Sequence, residues 1–226
     1  MTNDDLDRLW ESRAAGLRPE HANEIARRLA ADLKPIRPLP PNGLLTTAFA
    51  LIFSALALLG GLSLGDRALL RMDWLTALFT FAALGGSACL VAFALSGEMA
   101  PGRRLAPPWV LVSGILLGLA LVLASLFPNH PEPAFWLRAW RCLRTGLAAG
   151  SLAAALFWLI LRRGAMLDPR ASGALAGLLG GLAGTAMLEI HCPDFNLAHV
   201  LAGHWAAAAL GAGVGWIAGA IADRKG

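Results

Sequence analysis

The segment Leu188 to Trp205, LEIHCPDFNLAHVLAGHW, gathers the groups of this chain that could do chemistry. It holds three of the five histidines, one of the three cysteines, and both Glu189 and Asp194. Thiolate and imidazole bind zinc and copper, and thiols also form disulfides or react with oxidants. The ligand types fit a metal site, but their spacing matches no standard zinc pattern. A second cysteine, Cys142, lies in FWLRAWRCLRTG, and the third, Cys89, in an apolar run. None is part of a CxxC pair, so neither a disulfide scaffold nor a zinc ribbon is expected. Cys89 reads as a small apolar packing residue.

What positions these residues is a membrane. The chain is 57% hydrophobic and only 15% charged, against about 25% charged in soluble proteins, and the apolar residues come in blocks. A bilayer core about 30 Å thick needs about 20 apolar residues as a helix. Six segments qualify: 44–64, 74–96, 107–127, 140–161, 172–190 and 197–221. Their backbone groups must be satisfied within each helix, and no period-2 alternation suggests a barrel. The expected fold is all-α: a polytopic bundle of six transmembrane helices over residues 44–226, with a short helical arm over residues 1–43. The arm is polar from its start, so no cleavable signal peptide is expected.

Lys and Arg counts set the orientation. Fourteen lie on the side of the two termini and five on the other. Both termini are therefore expected in the cytoplasm and the protein in the bacterial inner membrane. Cys142 opens the fourth span and Cys192 follows the fifth, so both fall at the outer face, where the compartment is oxidising. Two thiols there can form a disulfide, bind a soft metal with imidazole help, or react singly with an oxidant. Arg138, Arg141 and Arg144 flank Cys142. They can snorkel to headgroups, or lower the thiol pKa. Pro193 should end the fifth span, and Asp194 or Asn196 can cap the sixth. His199 could then meet His191 or Cys192 across the turn. His204, five residues on and about 140° round an α-helix, is expected to point elsewhere in the bundle. Glu189, ionisable inside a span, needs a partner among the histidines or the arginines near Cys142.

The arm, residues 1–43, has seven acidic and seven basic residues, so it is not a polybasic membrane patch. Two helices are expected, about 3–15 with Leu6, Leu9 and Trp10, and about 19–33 with a stripe of Ile25, Leu29 and Leu33. The arm is too small to bury these faces alone, and its balanced charge favours docking to a partner protein. Glycines recur every fourth residue at 173, 177 and 181, at 180 and 184, and at 211, 215 and 219. Such faces allow close helix packing within a bundle, or a homodimer.

Together these residues resemble the NrsF family of six-helix bacterial membrane proteins. The resemblance rests on an arm ending in LAADLKPIRPLPP, six spans, EIHCP followed by two histidines and a tryptophan, and Cys142 fifty residues before Cys192. It covers essentially the whole chain. It implies an anti-sigma factor whose arm, residues 1–43, holds an extracytoplasmic-function sigma factor. It also implies that Cys142 and Cys192 sense an oxidant or heavy metal and trigger release. By chemistry alone, Glu189, His191, His199, His204, Arg138 and Arg141 are candidates to tune the thiols or to share a transition metal, zinc or copper. The arm residues Leu6, Trp10, Ile25, Leu29 and Leu33 are the expected partner contacts. Direct nucleic-acid binding is not expected. A small metal or proton transporter is the alternative, though no internal repeat supports it. An enzyme is not expected, since a thiol oxidoreductase would need a CxxC or a quinone-adjacent pair.

Overall fold

The computed structural model describes residues 23–25, 27–28, 40–65, 67–99, 107–130, 135–164, 166 and 168–224. The chain divides into two units, Met1–Leu39 and Pro40–Gly226. In the first, residues 23–25 and 27–28 are helical. Ile25 is exposed there, and Glu24 pairs with Arg28 at 2.9 Å and Arg27 at 3.6 Å. Leu6, Trp10, Leu29 and Leu33 lie outside the described residues.

The second unit is a bundle of six long apolar helices: α1 Asn42–Leu64, α2 Trp74–Glu98, α3 Pro108–Leu126, α4 Phe135–Leu161, α5 Pro169–His191 and α6 Leu197–Asp223. Among the described residues there is no strand. Local signals set the helix starts. The Asp73 carboxylate accepts from the Leu75 and Thr76 amides, and that of Asp168 from Arg170 and Ala171. These bonds satisfy donors that a helix N-terminus leaves orphaned. Pro108 and Pro169 occupy first-turn positions where no N–H is needed. Gly65, at φ 104°, ends α1 in a conformation that a side chain would disfavour.

The helices differ most in burial. In α5, 94% of an 18-residue apolar stretch is buried, against 17–33% of such stretches in the other five. The hub is therefore α5, packed most extensively on α6, then on α4 and α1. Its two glycine rows serve different neighbours. Gly173 and Gly177 meet the Gly215 and Gly211 carbonyls of α6 so closely that an added Cβ would collide with them; Gly184 meets the Gly146 carbonyl of α4 in the same way. Small-residue faces allow such contact, which in lipid supplies the packing that hydrophobicity cannot. These glycines thus have their contacts inside one chain.

The outer helices expose large apolar side chains, such as Leu51, Leu59, Leu117 and Leu121. An apolar surface on this scale suits lipid rather than water. Exposed tryptophans mark both ends of the bundle: Trp74, Trp136 and Trp140 at one, Trp109 and Trp216 at the other. This distribution matches the two aromatic belts of a spanning bundle. The fold is that of a multi-pass membrane protein.

Two expectations need correction. Helix α4 begins at Phe135, not near 140, because Phe135, Trp136 and Trp140 continue the helix as belt residues and carry Arg138 with them. Cys89 is exposed on the outer side of α2, not packed in the interior. It lies one residue beyond Ala88, which is buried, and so about 100° round the helix from it.

Candidate functional site

The C-terminal end of α5 and the starts of α4 and α6 meet at the Trp74, Trp136 and Trp140 end of the bundle. The link 192–196 is held on several sides. Asn196 caps α6 through Ala198 N–H at 3.0 Å and donates its amide to the His130 carbonyl at 2.7 Å. Leu197 N–H donates to the Pro128 carbonyl at 2.9 Å. From the other side, the Ala68 and Leu69 amides donate to the Ile190 carbonyl at 3.2 and 3.3 Å, satisfying the C-terminus of α5.

Within this frame the two cysteines meet. Cys142 Sγ lies 3.5 Å from Cys192 Sγ. Both thiols are free. Cys192 Sγ is also 3.3 Å from His199 Nε2. The contact with Cys142, and after it burial, push the Cys192 thiol above its ordinary pKa, while His199 and His204 act in the opposite direction. The other nitrogen of His199, Nδ1, sits 3.3 Å from Asp194 Oδ2, and Arg138 Nη1 is 3.6 Å from the same oxygen.

His204 does not point away. It is fully buried, its ring centroid is 5.2 Å from that of His199, and its Nδ1 is 2.8 Å from Glu189 Oε1. The reason is a π-helical segment, Val200–Trp205, at the start of α6. There the Ala206 amide reaches the Leu201 carbonyl five residues back. A π turn brings residues five apart onto one side, whereas an α-helix separates them. Two neighbours fit the segment. The Thr185 hydroxyl of α5 lies 2.9 Å from the His204 carbonyl. Gly203 lets the segment approach α4: an added Cβ would stand 3.1 Å from the Ala139 carbonyl and 3.4 Å from Cys142 Cβ.

The result is one cluster. Ligand atoms of Cys142, Cys192, His199 and His204 all lie within 4.8 Å of one another. His204 turns Nδ1 to a hydrogen bond with Glu189, His199 turns Nδ1 toward Asp194 without an aligned hydrogen bond, and the His204 Nε2 that remains is buried with no hydrogen-bond partner. Thr185, Glu189 and Cys192 share a face of α5 at spacings of four and three. The sequence candidates therefore separate. Arg138 reaches the cluster through Asp194, while Arg141 is exposed. His191 is turned away, with Nδ1 3.0 Å from the Gly65 carbonyl. It is the last residue of α5, and Cys192 after it is already extended, so the two side chains diverge. Asp194, noted as a titratable group of the segment but given a role only as a cap, and Thr185, not singled out at all, were missed as neighbours of the histidines. Both act by contacts between elements, which local spacing does not reveal.

The fold is thus a six-helix membrane bundle with a buried thiol and imidazole cluster at one end. The chain matches the family described as negative regulator of sigma F over residues 29–224, and it belongs to that family, NrsF. It is thus placed among the negative regulators of a sigma factor, a family of antagonists rather than of enzymes. No curated protein and no solved structure matches the chain.

Proposed function

We propose that this protein is an inner-membrane anti-sigma factor. Its cytoplasmic arm holds an extracytoplasmic-function sigma factor, and a change at Cys142 and Cys192 on the opposite face releases it. The observation that carries the sensing half is the 3.5 Å approach of the two sulfurs. They come from α4 and from the link between α5 and α6, so any bond between them constrains how those helices meet. The excess of Lys and Arg beside the termini supports a cytoplasmic arm and an outward cluster. Transmission would run through α5, whose glycine contacts to α4 and α6 leave little slack. Moving a two-state equilibrium from 1:99 to 99:1 takes about 5.5 kcal/mol. Disulfide formation or metal binding is of that scale.

The output half rests on the arm stripe that includes exposed Ile25. In cells carrying the full chain, a reporter driven by the sigma factor should rise on exposure to peroxide or cadmium. The double variant Cys142→Ser/Cys192→Ser should keep the reporter low under both. Ile25→Asp combined with Leu29→Asp should switch it on without any stimulus, with the protein still in the membrane. Unchanged induction in the double cysteine variant would remove the sensing role.

A further inference from the structure

We infer that Cys142, Cys192, His199 and His204 form a four-ligand site for a zinc-class divalent cation, with Asp194 and Glu189 orienting the two imidazoles. The sensor reading enters only in what the site regulates; the site itself stands on its geometry. A tetrahedral zinc with sulfur at about 2.3 Å and nitrogen at about 2.0–2.1 Å needs its ligand atoms about 3.3–3.8 Å apart. The sulfur to sulfur distance is 3.5 Å and the Cys192 sulfur to His199 Nε2 distance 3.3 Å, and all four ligand atoms lie within 4.8 Å of one another, so the set closes on a cation with shifts of about 1 Å or less. A disulfide would instead require the sulfurs to close to about 2.05 Å.

The surroundings point the same way. Zinc-binding histidines almost always give their second nitrogen to a carboxylate or carbonyl, which fixes the tautomer and ring orientation. Here His204 does, with Nδ1 hydrogen-bonded to Glu189 at 2.8 Å, and His199 Nδ1 faces Asp194 Oδ2 at 3.3 Å, close enough to pair though not aligned as a hydrogen bond. That arrangement leaves each Nε2 for the cluster. For His204 it leaves a buried nitrogen with no partner at all. An unsatisfied buried group costs about 1–3 kcal/mol, and a bond to a metal would satisfy this one. Two sulfurs with two imidazoles select zinc or cadmium over magnesium or calcium, which take oxygen ligands. Four protein ligands leave no open position for substrate, as in regulatory and structural rather than catalytic sites.

Binding balances without redox chemistry. The two thiols lose their protons to solvent, the two thiolates neutralise the divalent cation, and the imidazoles bind as neutral donors with their Nδ1–H groups on Asp194 and Glu189. The cation then joins α4, the 192–196 link and the π segment of α6. Metal occupancy would thereby set how these three elements meet.

The test uses the full-length protein, reduced and stripped by chelator in detergent, and Zn2+ alone. X-ray absorption at the zinc edge of the wild type should show two sulfur and two imidazole neighbours, one zinc per chain surviving gel filtration. Co2+ in its place should give thiolate charge-transfer bands and intense tetrahedral visible bands. His204→Ala should lose the tetrahedral bands, and Glu189→Gln should keep them while weakening binding about 10- to 100-fold. Sulfur without imidazole at the zinc edge, oxygen neighbours only, or no retained zinc in the wild type overturns the inference, and none of these readings depends on a variant folding. The two readings fail separately. If zinc does not bind but Cys142→Ser abolishes reporter induction, the metal site falls and the sensor stands. If zinc binds as described but induction ignores Cys142→Ser, the reverse holds.

Discussion

His204 Nδ1 lies 2.8 Å from Glu189 Oε1, and both side chains are buried, at 0% and 1% exposure. The pair bridges α6 to α5 at the cluster end of a membrane bundle. A lone carboxylate is costly inside a span, so Glu189 is retained there by its partner. Glu189→Leu removes the acceptor and leaves the His204 Nδ1–H buried and unsatisfied. It should lower stability by about 1–3 kcal/mol, read as an earlier midpoint in thermal unfolding in detergent. Glu189→Gln, which keeps an acceptor oxygen at that place, should lose less. Equal midpoints for Leu and wild type would show that the pair contributes nothing.

Oxidation gives a second prediction. Peroxide should convert reduced protein to a Cys142 to Cys192 disulfide, the two sulfurs yielding two electrons as peroxide is reduced to water. Bound zinc should leave in the same step, because both thiolates are consumed. Alkylation followed by peptide mass analysis reads the disulfide, and a chromogenic chelator reads the zinc. Cys89, exposed on α2, should remain alkylatable, and Cys89→Ser should change neither signal. A disulfide involving Cys89, or zinc retained after the 142 to 192 bond forms, would contradict this.

The spans were legible because length and apolarity are direct consequences of bilayer thickness. The meeting of Cys142 and Cys192 was half legible: topology put both at one end, but the 3.5 Å contact depends on the packing of α4 against α5. His204 was misread for a definite reason. Five residues are about 140° in an α-helix, and the π segment that cancels this offset is set by its own Gly203 together with Thr185 and the α4 surface, which lie far from it in sequence. Asp194 shows the same limit. As a cap it is a local signal, but as the partner of His199 and Arg138 it is a product of the folded link. His191, equal to the others in sequence, is excluded only by the direction in which α5 ends.

Packing of the hub gives a third prediction. A Cβ at Gly177 would run into the Gly211 carbonyl, and backbone there cannot step aside. Gly177→Leu should cost at least about 3 kcal/mol, the upper range for overpacking, and separate α6 from α5. Yield of monodisperse protein in detergent and loss of helix–helix cross-links read this. Gly43→Ala, where no atom lies within 4 Å, is the control and should behave as wild type. If Gly177→Leu behaves like Gly43→Ala, the α5 and α6 contact is not as close as described.

Gly203 separates the cluster from the rest of the fold. Its missing side chain admits the π segment to α4, with a built Cβ only 3.1 Å from the Ala139 carbonyl and 3.4 Å from Cys142 Cβ. Gly203→Val adds two further carbons in that gap and should push the segment off α4 at a cost of about 1–3 kcal/mol. His204 moves with the segment and Cys142 does not, so the four ligand atoms no longer share one centre. Zinc affinity should fall by at least about tenfold, as it does when ligand orientation is disturbed, while helix content by circular dichroism stays near wild type. Cobalt titration of both proteins decides it, and an unchanged titration with intact tetrahedral bands would mean that the π segment does not hold His204 to the site.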